Sequence, residues 1–176
     1  SDVCSSDLLT LSLGVFASAA LPPGKPLQDA PITLVDGKKV DLKQYRGKAL
    51  LLALVSTDCE HCDHALSFLN LIQKESGPQG LQVVAAAGDV ADGRSLGVYA
   101  AKHTTVFPFG FLDRNNFLKT ANLPPDARPF VPILMFIDAY GVVRVQILGD
   151  NPMMEKMEVL IRSTVRELLK EPGLKK

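Results

Sequence analysis

The sequence has no tryptophan, only three cysteines in 176 residues, and no excess of either charge, with nineteen Lys and Arg against nineteen Asp and Glu. Each shortage excludes something. Three cysteines cannot staple a small disulfide-rich scaffold. A net charge of zero offers neither a basic face for a phosphate backbone nor an acidic tail, so nucleic acid is not an expected partner. Gly and Pro, at 13 and 12, are ordinary counts that rule out a collagen-like or low-complexity chain. No internal repeat is visible, and the apolar stretch at residues 8–20 (LLTLSLGVFASAA) is too short to cross a bilayer. What is present is enough apolar character, 47% of the chain, to bury an ordinary core in one globular domain.

The apolar stretch ends in small residues, and Ala17-Ser18-Ala19 fits a cleavage site, so residues 1–19 read as an export signal, with a buried N-terminal helix as the alternative. No Met or basic residue precedes the run, and SDVCSSD at residues 1–7 resembles adapter-derived, non-native sequence, so Cys4 carries no argument. The expected location is periplasmic or otherwise extracytoplasmic. The chain would be membrane-tethered if the segment is uncleaved and without stable insertion once it is removed. In that compartment disulfides form and exchange. Residues 20–31 read as a Pro-rich linker and residues 32–172 as the folded domain, expected to be monomeric.

Along that domain, Asp36-Gly37 between short apolar runs signals a hairpin within residues 32–42. Residues 49–55 (ALLLALV) and 81–87 (LQVVAAA) are apolar runs expected as strands buried on both faces. Between them Ala65, Phe68, Leu69 and Ile72 recur at helical spacing, which predicts a helix over residues 59–75. The result is a β-α-β unit. Shorter elements are expected at 95–102 (helix), 106–112 (strand) and 114–121 (helix). Residues 133–137 and 142–148 read as an antiparallel hairpin. Asn151-Pro152 supplies an N-cap and a first-turn proline for a long C-terminal helix whose stripe includes Met157, Leu160, Ile161, Val165 and Leu168.

The remaining two cysteines, Cys59 and Cys62, open the first helix as Cys59-Glu60-His61-Cys62. Thiols at this spacing can close a small disulfide loop, and the first faces unpaired N–H groups and the positive end of the helix dipole, which favours a thiolate. Cys59 is therefore the expected nucleophile and Cys62, one turn further in, the resolving thiol. His61 would support the Cys59 thiolate and an ionised Glu60 would oppose it, so both are tuning candidates. A structural zinc site lacks a second ligand pair, because Cys4 would be lost with the signal. Cys59, Cys62, His61 and His64 could collect a soft ion such as Cu(I), but neighbouring helical positions do not converge on one centre, and no metal or other cofactor is expected. His64 and His103 read as solvated or capping residues.

This order of elements, with LVDGKKVDLKQYRGKALLLALVSTDCEHC, then FPFGFLD, then FVPILMFIDAYGVVRV, resembles the thioredoxin superfamily. Within it, the chain is similar to the exported TlpA-like thiol-disulfide oxidoreductases and the broader redoxin group. The resemblance implies an α/β thioredoxin-like fold, a central mixed β-sheet flanked by helices with an N-terminal β-hairpin extension. It implies disulfide exchange with client proteins and a redox partner protein, including reductive work in cytochrome c maturation. It places Pro132 at the cis-proline and the Val131 backbone where an extended substrate would pair. The chain departs from the pattern at Asp58, which replaces the usual tryptophan and sets an anion beside Cys59, and at Ala53, where cytosolic thioredoxins carry a buried acid. Asp89, just after the second core strand, lies near an acid of some cytochrome c-maturation relatives and is a candidate for proton transfer with Cys62. Three alternatives stay open. A peroxiredoxin-like peroxidase would use Ser56, three before Cys59, although Leu52 stands at that pattern's proline; the others are a Cu(I)-binding assembly factor and a redox-inactive binding module.

Overall fold

In the computed structural model, which describes residues 24–28, 30–90 and 92–174, one sheet carries all eight strands. They are β1 (Lys25–Pro26), β2 (Ile32–Leu34), β3 (Lys39–Val40), β4 (Ala49–Val55), β5 (Leu81–Ala87), β6 (Phe109–Phe111), β7 (Ile133–Ile137) and β8 (Val142–Ile147). The helices are α1 (Glu60–Ser76), α2 (Gly93–Lys102), α3 (Arg114–Thr120) and α4 (Met157–Leu168). The export-signal reading of residues 1–19, and residues 20–23 and 29 of the linker reading, lie outside the described residues.

The sheet order is β1-β8-β7-β4-β5-β6-β2-β3. β4, β5 and β6 run parallel, while β7, β8, β1, β2 and β3 each pair antiparallel with their neighbours. This is the mixed sheet with a leading hairpin that the sequence led one to expect. The runs are almost wholly apolar because each strand packs on both faces. Along β4, Leu51, Ala53 and Val55 join the core under α1 and α4, while Leu50, Leu52 and Leu54 join the opposite core with Phe117 and Leu118 of α3. β5 divides the same way, with Val83, Ala85 and Ala87 on the α1 side and Val84 and Ala86 on the other. Fully burying a side chain such as Leu51 or Phe136 contributes about 1.5–3 kcal/mol.

Three expectations need correction. The linker read at residues 20–31 contains β1, whose Lys25 and Pro26 pair with Val143 and Val142 at the sheet's edge, where a proline is tolerated. Ala30 is buried beyond it. The strand expected over residues 106–112 shrinks to β6, because Pro108 has no N–H and Asn70 of α1 takes the backbone before it. The Asn70 amide donates to the Thr104 carbonyl (2.9 Å), and Val106 N–H donates back to its Oδ1 (2.8 Å). Finally, Asn151 does act as a cap, accepting from Met153 N–H at 2.9 Å, but the turn it caps, Pro152–Lys156, is 3₁₀. Its residues lack a buried face, and α4 begins where the buried stripe does, at Met157.

Candidate active site

β4 ends in the middle of the sheet, and the loop Ser56-Thr57-Asp58 delivers Cys59 to the head of α1. Cys59 is the N-cap, with extended backbone (φ −149°, ψ 106°), and its Sγ accepts a hydrogen bond from Cys62 N–H at 3.3 Å. An N–H group of the first helical turn is thus shared between the Cys59 sulfur and the Cys59 carbonyl, 3.0 Å away. Cys59 is half-buried; Cys62, one turn on, is wholly buried among Ala53, Val55, Ala65 and Leu66, and both thiols are free.

That difference in burial separates their chemistry. Burial pushes the Cys62 thiol far above the usual cysteine range, helped by its hydrogen bond with Cys59 and by the charges of Cys59 and Asp63. Because only the thiolate is nucleophilic, Cys62 should resist alkylation in the reduced protein. Iodoacetamide at pH 8 followed by peptide mapping is expected to label Cys59 and leave Cys62 free until the pH is strongly alkaline. Equal labelling of the two at pH 8 would contradict the assignment.

Val131 and Pro132 approach from the other side. Their peptide bond is cis, Pro132 is buried, and the Val131 carbonyl oxygen lies 3.7 Å from Cys59 Sγ. Gly149, just past β8, fixes this loop: its N–H donates to the Phe130 carbonyl at 3.0 Å, and a Cβ on Gly149 would lie 2.5 Å from the Val131 oxygen. A methyl group there must displace the carbonyl that faces Cys59. Gly149→Ala is expected to cost about 1–3 kcal/mol by overpacking and to slow attack by Cys59 roughly tenfold, by the sensitivity of reaction rates to small misplacements. Stopped-flow thiol exchange beside a denaturant titration would separate the two effects.

The other sequence candidates divide. Asp58, Glu60 and His61 are exposed around Cys59, and the one contact to note is Asp58 N–H donating to Ser56 Oγ at 3.2 Å. Asp89 meets the loop that leads to Cys59, since β4 and β5 end side by side. Its Oδ2 accepts from Ser56 Oγ (2.8 Å), Thr57 N–H (2.8 Å) and Thr57 Oγ1 (2.9 Å), and none of its hydrogen bonds goes to Cys62. It organises the loop that presents Cys59.

One cluster escaped sequence reasoning. Asp63, the residue after Cys62, accepts from Tyr99 OH (2.5 Å) and Lys102 Nζ (3.2 Å), and His103 Nε2 lies 3.1 Å away as an ion-pair contact without hydrogen-bond geometry. Burial would raise the Asp63 carboxyl, but these partners outweigh it and hold it below the ordinary range. His103 also packs on the Tyr99 ring, 4.5 Å between centroids, so it caps α2 from within a cluster and is not solvated. Only the spacing of Tyr99 and His103 on one helical face hinted at this. Among the described residues no group of three or more His, Cys, Asp or Glu could hold a metal ion. No helix among them is long and apolar enough to cross a membrane.

Fold and site together define a class, the thioredoxin-like thiol-disulfide oxidoreductases of the redoxin group. More particularly, the chain belongs to the AhpC/TSA family, whose model matches residues 23–146. It is similar to the thiol-disulfide oxidoreductase ResA of Bacillus thuringiensis subsp. konkukian, 24% identical over 163 residues that cover 92% of this chain and 91% of the relative. Among solved structures it resembles a thiol:disulfide interchange protein of the thioredoxin family from Chlorobium tepidum TLS, with 19% identity and a TM-score of 0.68 over 84% of this chain and 98% of that one. It also resembles a secreted Mycobacterium tuberculosis disulfide oxidoreductase homologous to E. coli DsbE (16% identity, TM-score 0.58, 77% and 96% covered). At these identities the structural matches speak for the fold.

Proposed function

We propose that the protein is an extracytoplasmic reductase of client-protein disulfides, with Cys59 as nucleophile and Cys62 as resolving thiol. The observation that carries this reading is the asymmetry of the pair: one half-buried sulfur at a helix cap beside the Val131 carbonyl, the other sealed in the core. The Cys59 thiolate attacks one sulfur of a client disulfide, forming a Cys59–client bond and releasing the client's other sulfur as thiolate. Cys62 then gives up its proton and attacks Cys59 Sγ, which closes the Cys59–Cys62 disulfide and frees the reduced client. A redox partner protein returns two electrons to restore the dithiol. The Val131 backbone holds the client as an added extended segment, and Asp89 acts on the reaction by fixing the Ser56-Thr57 loop. A role in cytochrome c maturation, by reduction of apocytochrome cysteines, is the client chemistry that the family resemblance favours.

The reduction potential tests the direction. The purified protein is equilibrated in glutathione or dithiothreitol buffers and its free thiols are trapped. A value near about −250 mV or lower supports a reductase, and one near about −120 mV makes it a disulfide donor instead. If Cys59 and Cys62 form no reversible disulfide, the reading fails.

A further inference from the structure

Resting on the reading that Cys59 attacks client disulfides, we propose that the cleft beside the dithiol selects clients whose reacting cysteine is flanked by lysine or arginine. The cleft encloses about 800 Å³. It begins beside the dithiol, where His61, the residue before Cys62, and Pro132, the residue after Val131, line it, and runs along the segment from Gly149 to Val159. A client segment paired with Val131 must extend either into this space or away from it.

Two observations specify what enters. The first is charge. Asp150, Glu155 and Glu158 line the cleft and are exposed, and Asp58 and Glu60 stand exposed on either side of Cys59. The cleft's one ammonium is Lys156, and the chain as a whole is neutral, so this acidity is a local concentration and not a reflection of composition. Glu158 is shared with the His64 imidazole, 3.4 Å away, while the Asp150 and Glu155 carboxylates make no ion pair among the described residues. The second is the apolar part of the lining: Met154, Met157 and Val159, the last 67% exposed. Carboxylates above an apolar wall suit a lysine or arginine side chain, whose stem lies on apolar surface while its charged head reaches an acid. A glutamate in the same place would meet like charge, which costs affinity and gives discrimination.

The test uses Cys62→Ser protein, which cannot resolve, and two peptides alike except for lysines or glutamates beside one cysteine. Each cysteine is activated as its disulfide with 5-thio-2-nitrobenzoate. Attack by the Cys59 thiolate forms the Cys59–peptide disulfide and releases the coloured thiolate, so the rate is read directly. Rates are normalised to those with dithiothreitol, which removes the intrinsic difference between the peptides. The lysine peptide is expected to react about tenfold faster in low salt, the lower end of electrostatic steering. The preference should shrink in 0.5 M salt, where screening shortens the reach of the acids. It should fall markedly in the triple variant D150N/E155Q/E158Q, which leaves, of these acids, only Asp58 and Glu60 near Cys59, with circular dichroism to verify its fold. Equal normalised rates in the starting protein, or a preference that survives both the salt and the triple variant, would overturn the proposal. Should neither peptide react with Cys59 while both react with dithiothreitol, it is the oxidoreductase reading that falls.

Discussion

Cys59→Ser is expected to reduce catalysed disulfide exchange to the background of the thiol buffer, whereas Cys62→Ser should stop turnover after one exchange with the client still covalently held. Both lose turnover, and the product distinguishes them. Removing a covalent nucleophile costs on the order of 10⁶-fold where it has been measured in serine enzymes, and an un-ionised serine hydroxyl at the α1 cap is a far weaker nucleophile than a thiolate. In Cys62→Ser the attacking sulfur stays at the cap, next to the Val131 carbonyl. The first bond still forms, and only the buried group that would break it is gone. Non-reducing electrophoresis and intact-mass measurement should show a client adduct on Cys62→Ser and none on Cys59→Ser. If the adduct accumulates on Cys59→Ser instead, the two roles are reversed.

Asp138→Ala should produce a large loss of stability, about 3–5 kcal/mol, the usual cost of breaking a buried charge pair from one side. The Asp138 side chain is 1% exposed between β7 and β8. Its Oδ1 accepts from the N–H groups of Tyr140 and Val142, both at 2.9 Å, and its Oδ2 accepts from Arg144 Nε at 2.8 Å. Arg144 reaches on to Glu171 at 3.2 Å, tying the hairpin to the chain after α4. Alanine leaves two turn N–H groups and a largely buried guanidinium without this acceptor. For a chain of this size the melting temperature should fall by roughly 10 °C or more. Asp138→Asn, which keeps a carbonyl oxygen for the turn, should lose less. Thermal melts by circular dichroism decide it, and a drop under about 3 °C for the alanine variant would show that the network contributes little.

How far the sequence was readable follows from what fixed each element. β4, β5 and β7 were legible to the residue because burial on both faces demands an almost wholly apolar run, interrupted only by half-buried Gln82 in β5, and a polar stretch or turn ends it. The helix start at Cys59 was legible from the same boundary. β1 was not, because two residues at an edge are made a strand by their pairing with β8 and by nothing in their composition. The shortening of β6 depends on Asn70, 36 positions before Val106, and the Asp63–Tyr99 contact likewise spans 36 positions. Local periodicity has no access to either. Asp89 shows the intermediate case: its place near the loop that leads to Cys59 could be inferred from the β-α-β order, but its partners could not, since three donors on one oxygen depend on how the loop closes.

The edges of the sheet determine where other chains can attach to it. A sheet ending in long bare strands invites further strands from any neighbour, whereas here the ends are β1, two residues with a lysine and a proline, and β3, two residues of which one is Lys39. Short, charged or proline-bearing borders discourage such growth. On the proposed function, a protein that pairs its backbone with those of its clients would otherwise be exposed to being zipped into aggregates with them. With its outer borders closed, the backbone beside Cys59 is left as the landing place that the proposed function requires, where a client disulfide would meet the sulfur that attacks it.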